Sequence, residues 1–239
     1  MNSNNAPLIS IVIPVYNEER ILYSSIEQLV AQLCSFNCDF EIVIAENGSN
    51  DRTVEIAEEL AEKYKFVHLM RSPVPDYGYA LKAGIQMATG KYVFCDEIDL
   101  CILDFYKNAL SVLQSNEADM VVGSKVLAES NDERPFTRRF ATRVINGMLR
   151  VGVGFKGTDT HGLKSFNRER ILPVVERCEL GKDLFASELV VRTERGGFRV
   201  REIPLNLREI RPPSINLSKR VPRVLRDMAH LIYLIRIKG

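Results

Sequence analysis

Apolar runs of strand length alternate with helix-spaced segments through the first hundred residues, and this alternation limits the folds open to the chain. Ile9 to Val15 is an apolar run broken by Pro14, which reads as a buried first strand ending at a loop. Asn17, ahead of Glu18 and Glu19, supplies a cap and an acidic first turn for a helix carrying Leu22, Ile26, Leu29 and Leu33. Phe40 to Ala45 makes a second strand, and the turn-rich Glu46 to Thr53 leads into a helix with Ile56, Leu60 and Tyr64. Phe66 to Met70 is a third strand. Pro73, Pro75 and Gly78 mark a loop before a helix from about Tyr79 to Ala88, and Gly90 ends it ahead of a fourth strand. Such an order implies a largely parallel sheet with helices on both faces and right-handed crossovers.

The second half is less regular. Asp119 to Gly123 reads as a strand, Phe136 to Leu149 as a basic amphipathic helix and Phe185 to Glu194 as a further helix. A last helix, from about Val221, puts Val224, Leu225, Met228, Leu231, Ile232 and Ile235 on one side and Arg223, Arg226 and His230 opposite. At 239 residues the chain suits one large domain, expected over 1–215, with a C-terminal amphipathic extension over 216–239. A net charge of +1 predicts no general affinity for nucleic acid, although arginines gather at Arg134, Arg138, Arg139, Arg143 and Arg150. Five cysteines without a C-x-x-C pair predict free thiols in a reducing compartment. The N-terminus lacks a secretory pattern and no apolar stretch reaches the ~20 residues of a membrane span, so the expected location is cytoplasmic.

Residues 92–95 are bulky and apolar, and the acidic run Asp96-Glu97-Ile98-Asp99 follows where the sheet should stop. Open α/β sheets bind ligands at that edge. Alternate strand residues share a face, so Glu97 and Asp99 would both reach one hard cation, Mg2+ or Mn2+, with Asp96 pointing away.

Four segments stand in order: Ile11 to Glu19, Glu46 to Thr53, Gly78 to Gly84 with Ala88 to Tyr92, and Glu97-Ile98-Asp99. Together they resemble family 2 of the glycosyltransferases over nearly the whole chain, and the later half is most similar to the dolichyl- or polyprenyl-phosphate sugar synthases. The resemblance implies a GT-A fold, Rossmann-like, with a nucleotide-diphosphate sugar donor such as GDP-mannose or a UDP-hexose, a divalent metal and inversion at the sugar carbon. Pro14, Tyr16 and Glu18 match the family's first nucleotide contacts. Glu46 and Asn47 occupy the place of an Asp-Asp pair, and Lys82 lies in the third segment, on the donor side. Glu97, Ile98 and Asp99 match the family's D-x-D, with Glu97 and Asp99 as metal ligands and Asp99 also catalytic. Lys125 falls where the lipid-phosphate enzymes place arginine, and would meet phosphate as a point charge. Arg208 and Arg211 both approximate an arginine that closes over the donor phosphates.

The segment Asp159 to Phe166 resembles the one these synthases hold beside the reaction centre, with His161 in place of a polar uncharged residue. Glu188 matches an acidic position on the acceptor side, and it also stands one helical turn before Arg192, the spacing of an ion pair. The acceptor decides the chemistry. A hydroxyl must lose a proton, which assigns Asp159 or Glu188 the role of base. A lipid phosphate needs only cations to position it, and Arg138, Arg139, Arg143 and Lys164, together with Arg168, are the suppliers. The leading expectation is transfer to polyprenyl phosphate at the cytoplasmic membrane face, with attachment by interfacial helices or a partner subunit. A saccharide or other hydroxyl acceptor, and a nucleotide-binding module without turnover, are the alternatives. A nicotinamide dehydrogenase is disfavoured, since the first strand leads into Pro-Val-Tyr-Asn-Glu rather than a glycine-rich phosphate loop.

Overall fold

In the computed structural model, which describes residues 6–36, 38–127, 136–205 and 226–238, seven strands form one sheet. They are β1 (Ile9–Val15), β2 (Phe40–Asn47), β3 (Val67–Ser72), β4 (Tyr92–Cys95), β5 (Met120–Ser124), β6 (Lys164–Asn167) and β7 (Val200–Pro204), in the order β3-β2-β1-β4-β6-β5-β7. All pairings are parallel except those of β6, which runs against both β4 and β5. The helices are α1 (Leu22–Leu33), α2 (Thr53–Lys63), α3 (Tyr77–Met87), α4 (Leu103–Gln114), α5 (Phe136–Val153), α6 (Arg168–Arg177) and α7 (Phe185–Arg195). A further helix, α8, covers residues 226–233 and ends in a π-helical turn, Leu234–Lys238.

Strand alternation divides the core in two. Ile9, Ile11, Ile13, Ile42, Ile44, Tyr92, Phe94 and Val121 pack under α1, α2 and α4, while Val12, Val43, Val93, Cys95, Met120 and Phe166 pack under α3, α5, α6 and α7. The second cluster also takes Met228, Leu231 and Ile235 of α8. The apolar side of that helix therefore lies on the domain, beside Leu149 and Val153 of α5. The boundary expected near residue 215 falls outside the described residues.

Strands read from continuous apolar runs match closely, β1 in both bounds. The expected cap at Asn17 does not form. Helix α1 starts at Leu22 without a side-chain cap, and Asn17, at φ 54, turns instead to the following loop. Its N–H donates to Ser49 Oγ (3.0 Å) and its Oδ1 accepts from the Asn50 N–H (2.8 Å).

Pro14 has a local consequence. The β1–β4 ladder stops at Val12↔Cys95, with the Asp96 N–H donating to the Val12 carbonyl, and the next donor would be the N–H that Pro14 lacks. On its other side β1 stays paired with β2 as far as Val15↔Glu46. The sheet thus opens between β1 and β4, where the strand order switches direction, and β4 is released just before its acidic residues.

Candidate functional site

A cavity of ≈ 330 Å³ opens at this edge, lined by Tyr77, Leu81, Cys95, Asp96, Glu97, Lys125, His161, Gly162, Leu163, Lys164 and Ala186. Three chain segments converge on it. The stretch after β4 brings Glu97, the stretch after β5 brings Lys125, and the antiparallel β6 enters the sheet from the same edge with His161 to Lys164.

The acidic run is a turn and not an extension of β4, since the Leu100 N–H donates to the Glu97 carbonyl (2.9 Å). Strand alternation still governs its start: Asp96 is buried, accepting from the Tyr106 hydroxyl of α4 and from the Glu97 N–H (2.6 Å). Burial pushes its carboxyl up to about 7, against the pull of those donors. Glu97 faces the cavity. Desolvation by the surrounding walls raises its pKa, Lys125 and Lys164 oppose the rise, and neighbouring Asp99 adds to it. Ile98, expected at the donor, is a core residue 4% exposed, because the turn rolls it into the α4 side of the sheet.

Among the described residues no group of three His, Cys, Asp or Glu side chains makes a complete metal cage. Glu97 lines the cavity, and Asp99, two residues on and outside the lining, lies within electrostatic reach of it, so that the two offer hard oxygen ligands. Such a partial set suits Mg2+ or Mn2+, which are held by one or two carboxylates and keep other positions for water and substrate phosphate.

Two ammonium groups stand opposite. Lys125 lines the cavity, and Lys164 is buried in β6 with Nζ donating to the Gly162 carbonyl (2.7 Å). Burial drives the Lys164 ammonium below the ordinary lysine value, and Cys95 and Asp159 resist that shift. Gly162 has no room for a side chain, since a Cβ there would lie 1.6 Å from the Gly123 carbonyl oxygen. That close approach locks the loop before β6 onto β5.

The expected bases have other tasks. Asp159 is 2% exposed, and its carboxylate accepts from the His161 N–H (2.8 Å) and the Lys125 N–H (3.3 Å), fixing the backbone of two cavity residues. Glu188 is fully buried, paired with Arg192 Nε (2.8 Å) and accepting from the N–H groups of Glu179 (2.9 Å) and Leu180 (2.7 Å). Neither lines the cavity. Lys82 likewise serves structure: Nζ donates to the carbonyls of Glu176 (3.0 Å) and Cys178 (2.7 Å), where a cation complements the C-terminus of α6.

The remaining expected residues lie around this centre. Tyr16 is exposed just past β1, and Glu18 is tied by its N–H to Thr53 Oγ1 (2.7 Å). Glu46 and Asn47 are buried at the end of β2, and Asn47 Oδ1 accepts from the Asp76 N–H (2.6 Å). Asp76 was not foreseen. It caps α3 through the Tyr79 N–H (2.9 Å) and accepts from the Lys182 N–H (2.7 Å), joining the β2 loop, α3 and the approach to α7. Arg139 and Arg143 are exposed on α5 and do not line the cavity. Arg168 follows β6 at the opposite sheet edge, beside Lys91, because β6 is reversed. The side chain of Arg138, and Arg208 and Arg211 entirely, lie outside the described residues. Tyr77, Leu81 and Ala186, which form the apolar wall, carry no sequence signal beyond helix packing.

A family model described as glycosyl transferase family 2 matches residues 10–178. A glycosyltransferase named AglD from Haloferax volcanii is 30% identical over 203 residues, covering 83% of this chain and 32% of that protein. A dolichyl-phosphate beta-glucosyltransferase of Trichomonas vaginalis is 29% identical over 226 residues, 88% of this chain and 68% of the relative. An undecaprenyl-phosphate 4-deoxy-4-formamido-L-arabinose transferase of Pectobacterium atrosepticum is 32% identical over 175 residues, 71% and 51% respectively. The chain thus spans about a third to two thirds of these curated relatives. Among solved structures, glucosyl-3-phosphoglycerate synthase from Mycobacterium tuberculosis, crystallised with Mn2+, UDP and glucosyl-3-phosphoglycerate, shares the fold at a TM-score of 0.67 and 17% identity. It covers 95% of this chain, which in turn covers 79% of it.

Proposed function

We propose, from the premise that this chain belongs to glycosyl transferase family 2 and is a glycosyltransferase, that it moves a sugar from a nucleotide diphosphate to a polyprenyl phosphate. The observation that carries the acceptor is the state of the carboxylates. A hydroxyl acceptor needs a base, yet Asp159 and Glu188 are buried and engaged by backbone amides and Arg192. Of the carboxylates on the cavity wall, Asp96 is held by Tyr106, and Glu97 is the proposed metal ligand. A phosphate acceptor is already anionic and needs no base. Lys125 and Lys164 supply the positive charge to seat it, and the buried position of Lys164 strengthens that attraction by excluding water.

Glu97 and Asp99 are the proposed ligands of a Mg2+ or Mn2+ ion, which when bound would offset the charge building on the departing diphosphate. Tyr16, Glu18, Glu46 and Asn47, along the ends of β1 and β2, form the proposed donor side. The Tyr77, Leu81 and Ala186 wall suits the apolar start of a lipid chain. No described helix is long and apolar enough to cross a membrane. Contact with the lipid's bilayer is proposed through exposed Arg139 and Arg143.

The test is nucleotide release by the pure protein with Mn2+ or Mg2+ across GDP-mannose, UDP-glucose and related donors, with and without farnesyl phosphate. One donor should respond to the lipid phosphate, and Asp99→Ala should lower that rate at least a hundredfold, about 2.7 kcal/mol of transition-state stabilisation. Release indifferent to the phosphate would defeat the acceptor assignment, and an active Asp99→Ala protein would defeat the metal assignment.

A further inference from the structure

A carboxylate outside the cavity holds the loop that leads into its basic wall. Glu202, half-buried on the edge strand β7 and paired opposite Val122 of β5, reaches the stretch ahead of β6. Its Oε1 accepts from the N–H groups of Thr158 (2.5 Å) and Asp159 (3.1 Å), and its Oε2 accepts from the Thr158 hydroxyl (2.7 Å). Gly157 makes that approach possible, since a Cβ there would lie 2.6 Å from Glu202 Oε1. An ionised carboxylate only accepts, so these converging donors suit it and fix the loop against β7.

From Thr158 and Asp159 the contacts run on to both sides of Lys125. Asp159 Oδ2 accepts from the Lys125 N–H (3.3 Å), and Asp159 Oδ1 accepts from the His161 N–H (2.8 Å). Thr158 Oγ1 lies 2.7 Å from Ser124 Oγ, which accepts from the Val126 N–H (3.1 Å). Lys125 and His161 line the cavity, whereas Glu202, Thr158 and Asp159 do not. A second carboxylate, Glu194, holds the other end of the loop through the Lys156 N–H (3.1 Å).

We infer that Glu202 is a positioning residue, which acts through Thr158 and Asp159 to set the backbone of Lys125 and His161 and thereby the seat of the acceptor phosphate. The inference rests on the phosphate-acceptor reading and adds to it a residue that the cavity wall does not contain. Its effect is confined to the acceptor, because Tyr16, Glu18, Glu46 and Asn47 follow β1 and β2, which β4 and β6 separate from β5 and β7.

The test combines amide hydrogen exchange, read by NMR on the full chain, with the two KM values. Glu202→Ala should speed exchange at the Lys125 and His161 amides and raise the KM for farnesyl phosphate about tenfold, with the KM for the nucleotide sugar unchanged. Glu202→Asp keeps the charge but withdraws it by one methylene, and should do the same. Glu202→Gln, whose Oε1 reaches both amides and whose Nε2 donates to the Thr158 hydroxyl, should restore both readouts. Asp159→Ala should raise the same KM, and adding Glu202→Ala to it should raise it no further. Glu194→Gln is the control and should leave both KM values as they are. A merely structural Glu202 would lower the yield of folded protein without separating the two KM values. Unchanged Lys125 and His161 amides in Glu202→Asp overturn the inference even if Glu202→Ala fails to fold. Additive effects with Asp159→Ala, or an equal KM rise in Glu194→Gln, overturn it as well. If the wild type ignores farnesyl phosphate, the phosphate-acceptor reading falls, and the amide exchange alone upholds or overturns the positioning.

Discussion

Asp159 and Glu188 show how a carboxylate's role depends on which backbone amides reach it. Asp159 lies in a segment that resembles the one the lipid-phosphate synthases hold beside the reaction centre, Glu188 matches an acidic position on their acceptor side, and both are the kind of side chain a hydroxyl acceptor needs. Their occupation by the N–H groups of Lys125, His161, Glu179 and Leu180 depends on loops brought together by β5, β6 and α7, which no local pattern encodes. The Glu188–Arg192 pair was legible because it sits within one helix turn. Glu188→Gln keeps the shape but removes the buried charge that balances Arg192. It should cost roughly 3 kcal/mol in urea unfolding, while the protein that remains folded keeps its turnover. Loss of turnover at unchanged stability would return Glu188 to the role of base.

At the scale of elements, legibility followed hydrophobicity. The strands β1, β2, β4 and β5 are apolar-rich and almost wholly buried, and they, with the half-buried β3, were found within a few residues. The short β6, Lys-Ser-Phe-Asn, and the edge strand β7, Val-Arg-Glu-Ile-Pro, alternate with polar residues and were missed, as were α4 and α6. What holds this second half together is partly ionic. Asp119, at the start of β5, receives Arg199 Nε (3.2 Å), the Arg199 N–H (2.8 Å) and the guanidinium of Arg170. Burial opposes ionisation there, but the Arg199 and Arg170 donors prevail and hold the carboxyl at about 2. A pKa depressed by folding gives stability that is present above the unfolded value near 4 and is lost as pH falls through about 2. Chemical denaturation between pH 5 and pH 2 should therefore show the wild type losing about 2 kcal/mol more than Asp119→Asn does. Parallel curves would dismiss the ion cluster as a stabilising device.

Over the whole molecule, α8 is where the sequence allowed two outcomes. Its apolar side could have met a bilayer or the domain, and Met228, Leu231, Leu234 and Ile235 are buried in the structure. Burying four such side chains contributes on the order of 6 kcal/mol or more. Deletion of residues 226–239 should thus lower the melting temperature by ten degrees or more in calorimetry, and an unchanged transition would detach α8 from the core. Experiments that remove this segment to test membrane attachment must control for that loss. The reversed strand β6 bears on how the chain reaches this state at all. Strands β1, β2 and β3 pair at separations of about 25 to 31 residues (Ile9↔Phe40, Ile42↔Val67), whereas β4 meets β1 only across about 83 residues, and β6 must then return across about 69 more to meet β4 at Cys95↔Lys164. Its arrival is what delivers Lys164, His161 and the Gly162 contact. Pulse-labelling during refolding should find β1 and β2 amides protected before those of β6, so that the chain acquires a foldable half early and a chemically competent one only at its last step.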